Sequence, residues 1–343
     1  MGFKRYTSID NCSRKLTINY YNLRGYLEKE WVVTTKIHGA NFSFVVNEDT
    51  IQCCNRSGPL KGEGSFFSHK KVLERYKDRL YSLRKIVLNH LDLNSDCSIQ
   101  LFGEIFGGHY PHPDVKSVSG VSKVQKGVWY CPDVDFCPFD IYVEKEDDKR
   151  FPVDHDVFEE LISKAGFALY AKAIFKGTFE QCLDYPNEYS DPIHKHYGLP
   201  EIEDNICEGN VLKPVKAICD PTGSRVLLKN KNEKFTERDK VPKEKREVKL
   251  LPEVAKVVQI YDEYVTENRL RNVISHIGEI TNKDFGKLMK EFTQDIREDA
   301  LKDCPDLLDG IEKSSIRDVN KVLNKYCSSL IKSNFVNIID GEF

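Results

Sequence analysis

"WVVTTKIHGANFSFVV", residues 31–46, is the stretch on which the reading of this chain turns. Two runs rich in β-branched and aromatic residues, WVVTT and NFSFVV, flank a short polar turn, the pattern of two strands joined by a bend. Lys36 stands where the first run meets the turn, with His38, Gly39 and Asn41 close behind. The lysine is either solvated decoration on a hairpin or a nucleophile held at the mouth of a pocket by rigid elements. The form K-x-x-G decides nothing by itself, because it recurs at Lys61–Gly64, Lys195–Gly198 and Lys283–Gly286. Context separates the four. Lys61 lies in a glycine-rich loop, Lys195 in a polar loop, and Lys283 at the expected start of a helix. Only Lys36 leaves one strand, turns at Gly39 and enters another.

Outward from this stretch, the first two thirds of the chain mix strands with short helices. CSIQLFGEI, CPFDIYV, NVLKPV and SRVLLK read as further strands. Apolar residues at helical spacing predict a helix over 68–89, and a second over 153–165 with Asp154 as its cap and Gly166 as its stop. Strands without regular βαβ alternation imply an α+β domain built on antiparallel sheets. After about Val248 the texture becomes amphipathic helix with almost no strand signal. The expected boundary falls near 240–249, which divides the chain into 1–243 and a helical 244–343.

The 343 residues suffice for two domains, and 31% charged against 40% hydrophobic is an ordinary soluble balance. No apolar run approaches the ~20 residues of a membrane span. The start, MGFKRYTSID, has no apolar segment for a signal peptide, and Tyr6 breaks the myristoylation pattern. The 11 cysteines are odd in number and show no CxxC spacing, so reduced thiols in an intracellular, cytoplasmic setting are expected and a zinc site is not. A net charge of −3 excludes a polycation, so any nucleic-acid binding must be local. The basic residues between Lys229 and Lys249 are the one candidate patch, diluted by five acidic ones; the Arg238–Lys249 part reads as a solvated linker.

Other chemistry-bearing residues occur in a fixed order. Arg56 follows the strand after Asn41; Glu104 ends an apolar strand before a glycine turn; Phe139 begins a strand; Glu208 sits at a turn before one. Lys229 and Lys231, two apart, share a face of an extended segment. Each alone has a dull alternative as turn carboxylate, core ring or wet strand face. The ordered set is harder to reach by accident.

That order resembles the covalent nucleotidyltransferase superfamily of ATP-dependent ligases and messenger-RNA capping enzymes, and within it the RNA ligase 2 family, which includes the RNA-editing ligases. KIHGANF is similar to the family's nucleotidyl motif, FGEIFGGHYPHP to its third, EGNVLKP and LLKNKNEKF to its fourth and fifth, and YVTENRLRNVISHIGEI to the start of its helical carboxyl-terminal domain. Thr35 departs from the glutamate common before the lysine, and Ala40 from a common threonine. The resemblance implies a nucleotidyltransferase domain followed by a small helical domain. It implies an RNA ligase that uses ATP and Mg²⁺, with Mn²⁺ able to substitute, to seal 3′-OH/5′-phosphate nicks in duplex RNA through lysyl-AMP, as a monomer. Lys36 and His38 would be catalytic. Thr35, Lys36, Ile37, Asn41, Arg56, Glu104, Phe139, Lys229 and Lys231 would contact the nucleotide, with Glu104 on the ribose and Phe139 on adenine. Glu208, with Glu104, would hold the metal. A capping guanylyltransferase, a DNA ligase and a nucleotide-binding scaffold without turnover are the alternatives.

The chemistry asks for such a set. A free lysine has a pKa of ~10.4 and must lose its proton before it can attack a phosphate. Nearby cations favour the neutral amine and also stabilise phosphoryl oxygens in the transition state.

Overall fold

The computed structural model describes residues 2–61, 66–145, 149–237 and 252–343. The chain divides into two compact units, Met1–Asn232 and Glu233–Phe343. The boundary expected between 243 and 244, and the basic residues from Arg238 to Lys249, lie outside the described residues.

The first unit is α+β. Its strands among the described residues are β1 (Asp10–Asn11), β2 (Trp31–Thr35), β3 (Ala40–Val46), β4 (Ile51–Asn55), β5 (Gly58–Pro59), β6 (Ser98–Gly107), β7 (Val134–Glu144), β8 (Arg150–Pro152), β9 (Ala173–Gly177), β10 (Gly209–Pro214) and β11 (Leu228–Lys231). They form a five-stranded sheet, ordered β1-β11-β10-β2-β9, and a six-stranded sheet, ordered β5-β4-β3-β6-β7-β8. Every pairing is antiparallel except β1 with β11. The quoted stretch therefore crosses between sheets: β2 belongs to one and β3 to the other, with Lys36–Gly39 as the crossover. Gly39 is required there because a Cβ would lie 2.3 Å from the Ile105 carbonyl oxygen.

The helices of this unit are α1 (Lys15–Leu23), α2 (His69–His90), α3 (His155–Lys164), α4 (Phe179–Leu183) and α5 (Ile193–His196). Apolar positions on α2 and α3, among them Leu80, Leu83, Val87, Phe158 and Leu161, bury against Phe42, Phe44, Leu101, Phe136 and Ile141 of the six-stranded sheet. Trp31, Val33, Leu212 and Leu228 give the five-stranded sheet its own core with Tyr21 of α1 and Phe179 of α4. A third cluster lies between the two sheets: Val211 of β10 and Leu227 just before β11, Phe102, Phe139 and Tyr142 of the six-stranded sheet, and Tyr6.

Four local expectations differ from the structure. Asp154 precedes α3 but makes no side-chain cap; its carboxylate accepts from the Ala217 amide at 2.7 Å and from Lys216 at 2.8 Å. SRVLLK is strand only from Leu228, because the Arg225 amide donates to the Thr7 hydroxyl and Val226 N–H bonds Ile218 O within a turn. Lys195 lies on the short α5 rather than in a loop. Lys283 sits in the turn before the next helix, which starts at Phe285.

The second unit is helical: α6 (Pro252–Glu263), α7 (Glu267–Ile277), α8 (Phe285–Asp303) and α9 (Lys313–Ile339). Val257, Tyr261, Leu270, Leu288, Phe292, Ile296, Leu323 and Ile331 form its core. Arg269 is buried between Asp295 at 2.5 Å and Asp299 at 3.0 Å, and its Nε donates to Glu237 O. No helix among the described residues is long and apolar enough to cross a membrane.

Candidate active site

Strand pairing sets the site. The Lys36 amide donates to Gly209 O at 2.8 Å, one rung past the β2–β10 ladder, and Gly209 pairs in turn with Lys231 of β11. Lys36, Glu208–Gly209 and Lys231 thus lie side by side at the ends of three adjacent strands. Gly209 has φ +133°, and a Cβ there would meet Asn230 O at 2.2 Å, so the residue after Glu208 must be glycine for the strands to close this tightly.

Glu208 is the hub. Its Oε2 accepts from Lys36 Nζ at 2.7 Å and lies 3.1 Å from His38 Nδ1, while its Oε1 is 2.8 Å from Lys231 Nζ. The carboxylate is buried, with 3% of its side chain exposed. Burial by itself would raise its pKa; the charges of Lys231, Lys36 and His38 outweigh that and hold it well below the usual carboxylate range. It is consequently an anion that orders cations, and a poor place to leave a proton. The His38 backbone N–H donates to the buried Tyr130 hydroxyl at 2.8 Å, which fixes the crossover from behind.

Glu104 lies on β6 directly opposite Asn41 of β3. Its environment pushes its pKa up to about 8, first through burial and also through Glu208, against the lowering pull of Lys36, Arg56 and Lys231. Those interactions place Glu104 and Arg56 in the same electrostatic neighbourhood as the Glu208 hub.

The alternation of β2 sorts its residues by face. Val33 packs in the core with Leu212 and Leu228, whereas Thr34 lies opposite Val211, which packs with Phe139 between the sheets. Thr35 follows Val33: its hydroxyl bonds the Tyr189 hydroxyl at 2.9 Å, away from Phe139, so the backbone is what it can offer a nucleotide in the cleft. Ile37 buries its side chain. Lys229, opposite Val211, lies on the Phe139 side, one rung from Lys231.

Phe139 is turned out by a bulge. Gly103 pairs with Pro138 and Phe102 with Asp140, so Phe139 is the extra residue, and it alone on β7 is half-exposed. The backbone beside it is pinned: Lys213 Nζ donates to Phe139 O at 2.9 Å, and Asp140 accepts from the Tyr6 hydroxyl at 2.9 Å and pairs with Arg225 at 3.2 Å. Burial pushes the Lys213 ammonium down to about 8.

The structure thus brings Lys36, His38, Glu208 and Lys231 into contact, with Glu104 and Arg56 near. It places Phe139 and Lys229 on the same face of β10, both next to Val211, and turns the Thr35 side chain away. Tyr6, Tyr130, Tyr189, Val211 and Lys213 were not singled out from the sequence; the strand register that gives them their neighbours was the missing information. Among the described residues no group of three or more His, Cys, Asp or Glu converges to hold a metal. Two nearby carboxylates, Glu208 and Glu104, suit a Mg²⁺ that keeps most of its waters and takes its other ligands from phosphates.

Comparison with known proteins gives a consistent picture. A family model described as RNA ligase matches residues 29–231, and one described as T4 RNA ligase 2 C-terminal matches residues 248–329. RNA-editing ligase 2, mitochondrial, of Trypanosoma brucei brucei is 29% identical, the match covering 99% of this chain and 93% of that protein. RNA-editing ligase 1, mitochondrial, of the same organism is 25% identical over 99% of this chain and 84% of that protein. Among solved structures, a mutant Naegleria gruberi RNA ligase with AMP and Mn aligns with a TM-score of 0.44 and 17% identity, covering 68% of this chain and 58% of that one. The aligned part is thus under two thirds of that structure's length.

Proposed function

The chain belongs to the RNA ligase family, and from that premise we propose that it is an ATP-dependent RNA ligase that seals 3′-OH/5′-phosphate nicks in duplex RNA, as a monomer, in a reducing intracellular, cytoplasmic compartment. The observation that carries the reaction is the convergence of Lys36, His38 and Lys231 on the single buried carboxylate Glu208.

In the first step Lys36 Nζ attacks the α-phosphorus of ATP. The N–P bond forms, and the bridging oxygen leaves with pyrophosphate. Lys36 must first give up a proton and its bond to Glu208. Glu208, held far into its ionised range, is the wrong receiver, so the proton passes to solvent or to the departing phosphate oxygens. Lys231 and Lys229 stabilise those oxygens from one face. Phe139 gives adenine a surface to stack on, and Glu104 accepts from a ribose hydroxyl. Mg²⁺, held through water by Glu208 and Glu104, would supply further charge neutralisation on the phosphates.

In the second step an oxygen of the RNA 5′-phosphate displaces Lys36 from AMP. In the third the 3′-hydroxyl attacks that 5′-phosphorus and expels AMP. His38 serves these RNA-dependent steps. The RNA is recognised through its phosphates and A-form shape.

Incubation with α-labelled ATP and Mg²⁺ should leave an acid-labile label that peptide mapping places on Lys36. Label from GTP in place of ATP would point to capping, no label from either to a scaffold, and label surviving Lys36→Ala would refute the assignment.

A further inference from the structure

We infer that the 186–206 segment, which carries none of the family motifs, is a brace for the nucleophile, and that Tyr189 and Asn187 are positioning residues for lysyl-AMP formation. The inference rests on the ligase reading above.

Each of the three catalytic strands ends where its charged residue begins: β2 at Thr35, β10 at Gly209, β11 at Lys231. Lys36, His38 and Lys231 crowd onto Glu208 at those ends, where a single backbone bond on each side, Lys36 N–H to Gly209 O at 2.8 Å and Asn232 N–H to Glu208 O at 3.0 Å, closes the ladders. The segment grips all three. The Tyr189 hydroxyl lies 2.9 Å from Thr35 Oγ1 and 2.9 Å from Asn210 Oδ1. The Asn210 amide nitrogen donates to Pro186 O at 2.9 Å, which fixes that side chain with its oxygen toward Tyr189. Tyr189 has one proton and gives it to Asn210, so the Thr35 hydroxyl donates to Tyr189. Thr35 and Asn210 are register partners on β2 and β10. One hydroxyl therefore ties the residue before Lys36 to the second residue after Glu208.

Asn187 holds the third strand. Its side-chain N–H₂ donates to Asn230 Oδ1 at 3.0 Å and to Lys231 O at 3.1 Å. Backbone bonds join the segment to the Glu208 arm: Cys207 N–H to Tyr189 O at 3.0 Å, and Asp191 N–H to Asn205 O at 2.9 Å. Asn205 also reaches the crossover. Its side chain exchanges two 2.8 Å hydrogen bonds with the Trp129 backbone, and the next residue, Tyr130, accepts the His38 amide. These contacts lie behind the cleft, and none uses the side chain of Lys36, Glu208 or Lys231.

A reacting group misplaced by about 1 Å can cost on the order of 10²-fold in rate. Tyr189→Phe keeps the ring and removes one hydroxyl, so a partial loosening and a loss of about tenfold are expected. The test measures two rates on the full chain: enzyme–AMP formation from ATP, and sealing of a chemically pre-adenylylated nick, in which AMP is already on the RNA and Lys36 does not act as nucleophile. Tyr189→Phe should slow the first about tenfold and the second less than about threefold. Asn187→Ala should behave alike. Thr35→Val should reproduce Tyr189→Phe, and the double variant should be no slower than the slower single one, since both break the same link. A Tyr189→Phe protein that matches the parent in the first step overturns the brace. So does one that loses both steps equally together with a lower Tm, which marks general support of the fold. A parent protein that takes no label from ATP overturns the ligase reading itself, and the brace with it.

Discussion

Glu208→Gln offers a quantitative test of the charge arrangement. The substitution keeps the shape and removes the anion that Lys36, His38 and Lys231 share. Breaking a buried ion pair by deleting one partner costs about 3–5 kcal/mol, because the remaining charge is left uncompensated. Two features pull in opposite directions here. Two lysines lose their partner rather than one and His38 loses a hydrogen-bond partner, but Lys36 and His38 keep 19% and 21% of their side-chain surface in contact with water, which screens them. The low end, about 3 kcal/mol, is the reasoned value. For a unit of this size, 1 kcal/mol corresponds to about 2–4 °C, so Tm should fall by roughly 6–12 °C. The pH dependence has a definite sign. The folded pKa of Glu208 is depressed, so its contribution is present above the unfolded value of ~4.3 and is lost as pH falls through the folded one; the gap between parent and variant should close in acid. ATP in the presence of EDTA, where no turnover occurs, brings phosphate charge to the same cations and should raise the Tm of Glu208→Gln by more than it raises that of the parent. Thermal unfolding by fluorescence, with and without ATP, reads all three effects. A variant whose Tm lies within about 2 °C of the parent at neutral pH would refute the view that Glu208 is the counter-ion on which the site depends.

The remaining predictions concern individual steps. Lys229→Ala and Lys231→Ala should each lower enzyme–AMP formation by about 10²-fold or more, as loss of a transition-state charge contact does; near-normal rates in both would return them to a solvated strand face. His38→Ala should form enzyme–AMP at near-normal yield and then stall when a nicked duplex is added; equal losses in both measurements would reduce His38 to support of the crossover. A fragment covering 1–243 should form enzyme–AMP and fail to seal nicks with it, whereas full sealing would make the helical unit dispensable.

What the sequence conveyed follows from the range over which its signals act. Alternation and turn chemistry are local, so β2, β3, β6, β7 and the shared face of Lys229 and Lys231 could be read without a partner in view. Pairing is not local, and the largest differences arise there. Thr35 stands next to Lys36 in every reading of the sequence. Only the register of β2 against β10 shows its side chain on the face bearing Trp31 and Val33, which leaves only its backbone toward the cleft. The glutamate common at this position in the resembling family can thus be absent without removing a side chain from the cleft. Phe139 by itself reads first as core, and only the resemblance makes it a stacking surface; the register slip opposite Phe102 and Gly103 turns it partly outward, and no residue of the bulge announces that slip. Glu208 was expected as a metal ligand with the lysines as separate phosphate contacts. The closing of three strands around Gly209 makes it first the counter-ion of those lysines, so a metal must compete with Lys36 and Lys231 for its oxygens, and nucleotide phosphates must compete with it for the two lysines. On the proposed reaction that competition sets an order: Glu208 holds Lys36 Nζ at 2.7 Å until incoming phosphate oxygens take up the lysine contacts, so nucleotide binding precedes attack.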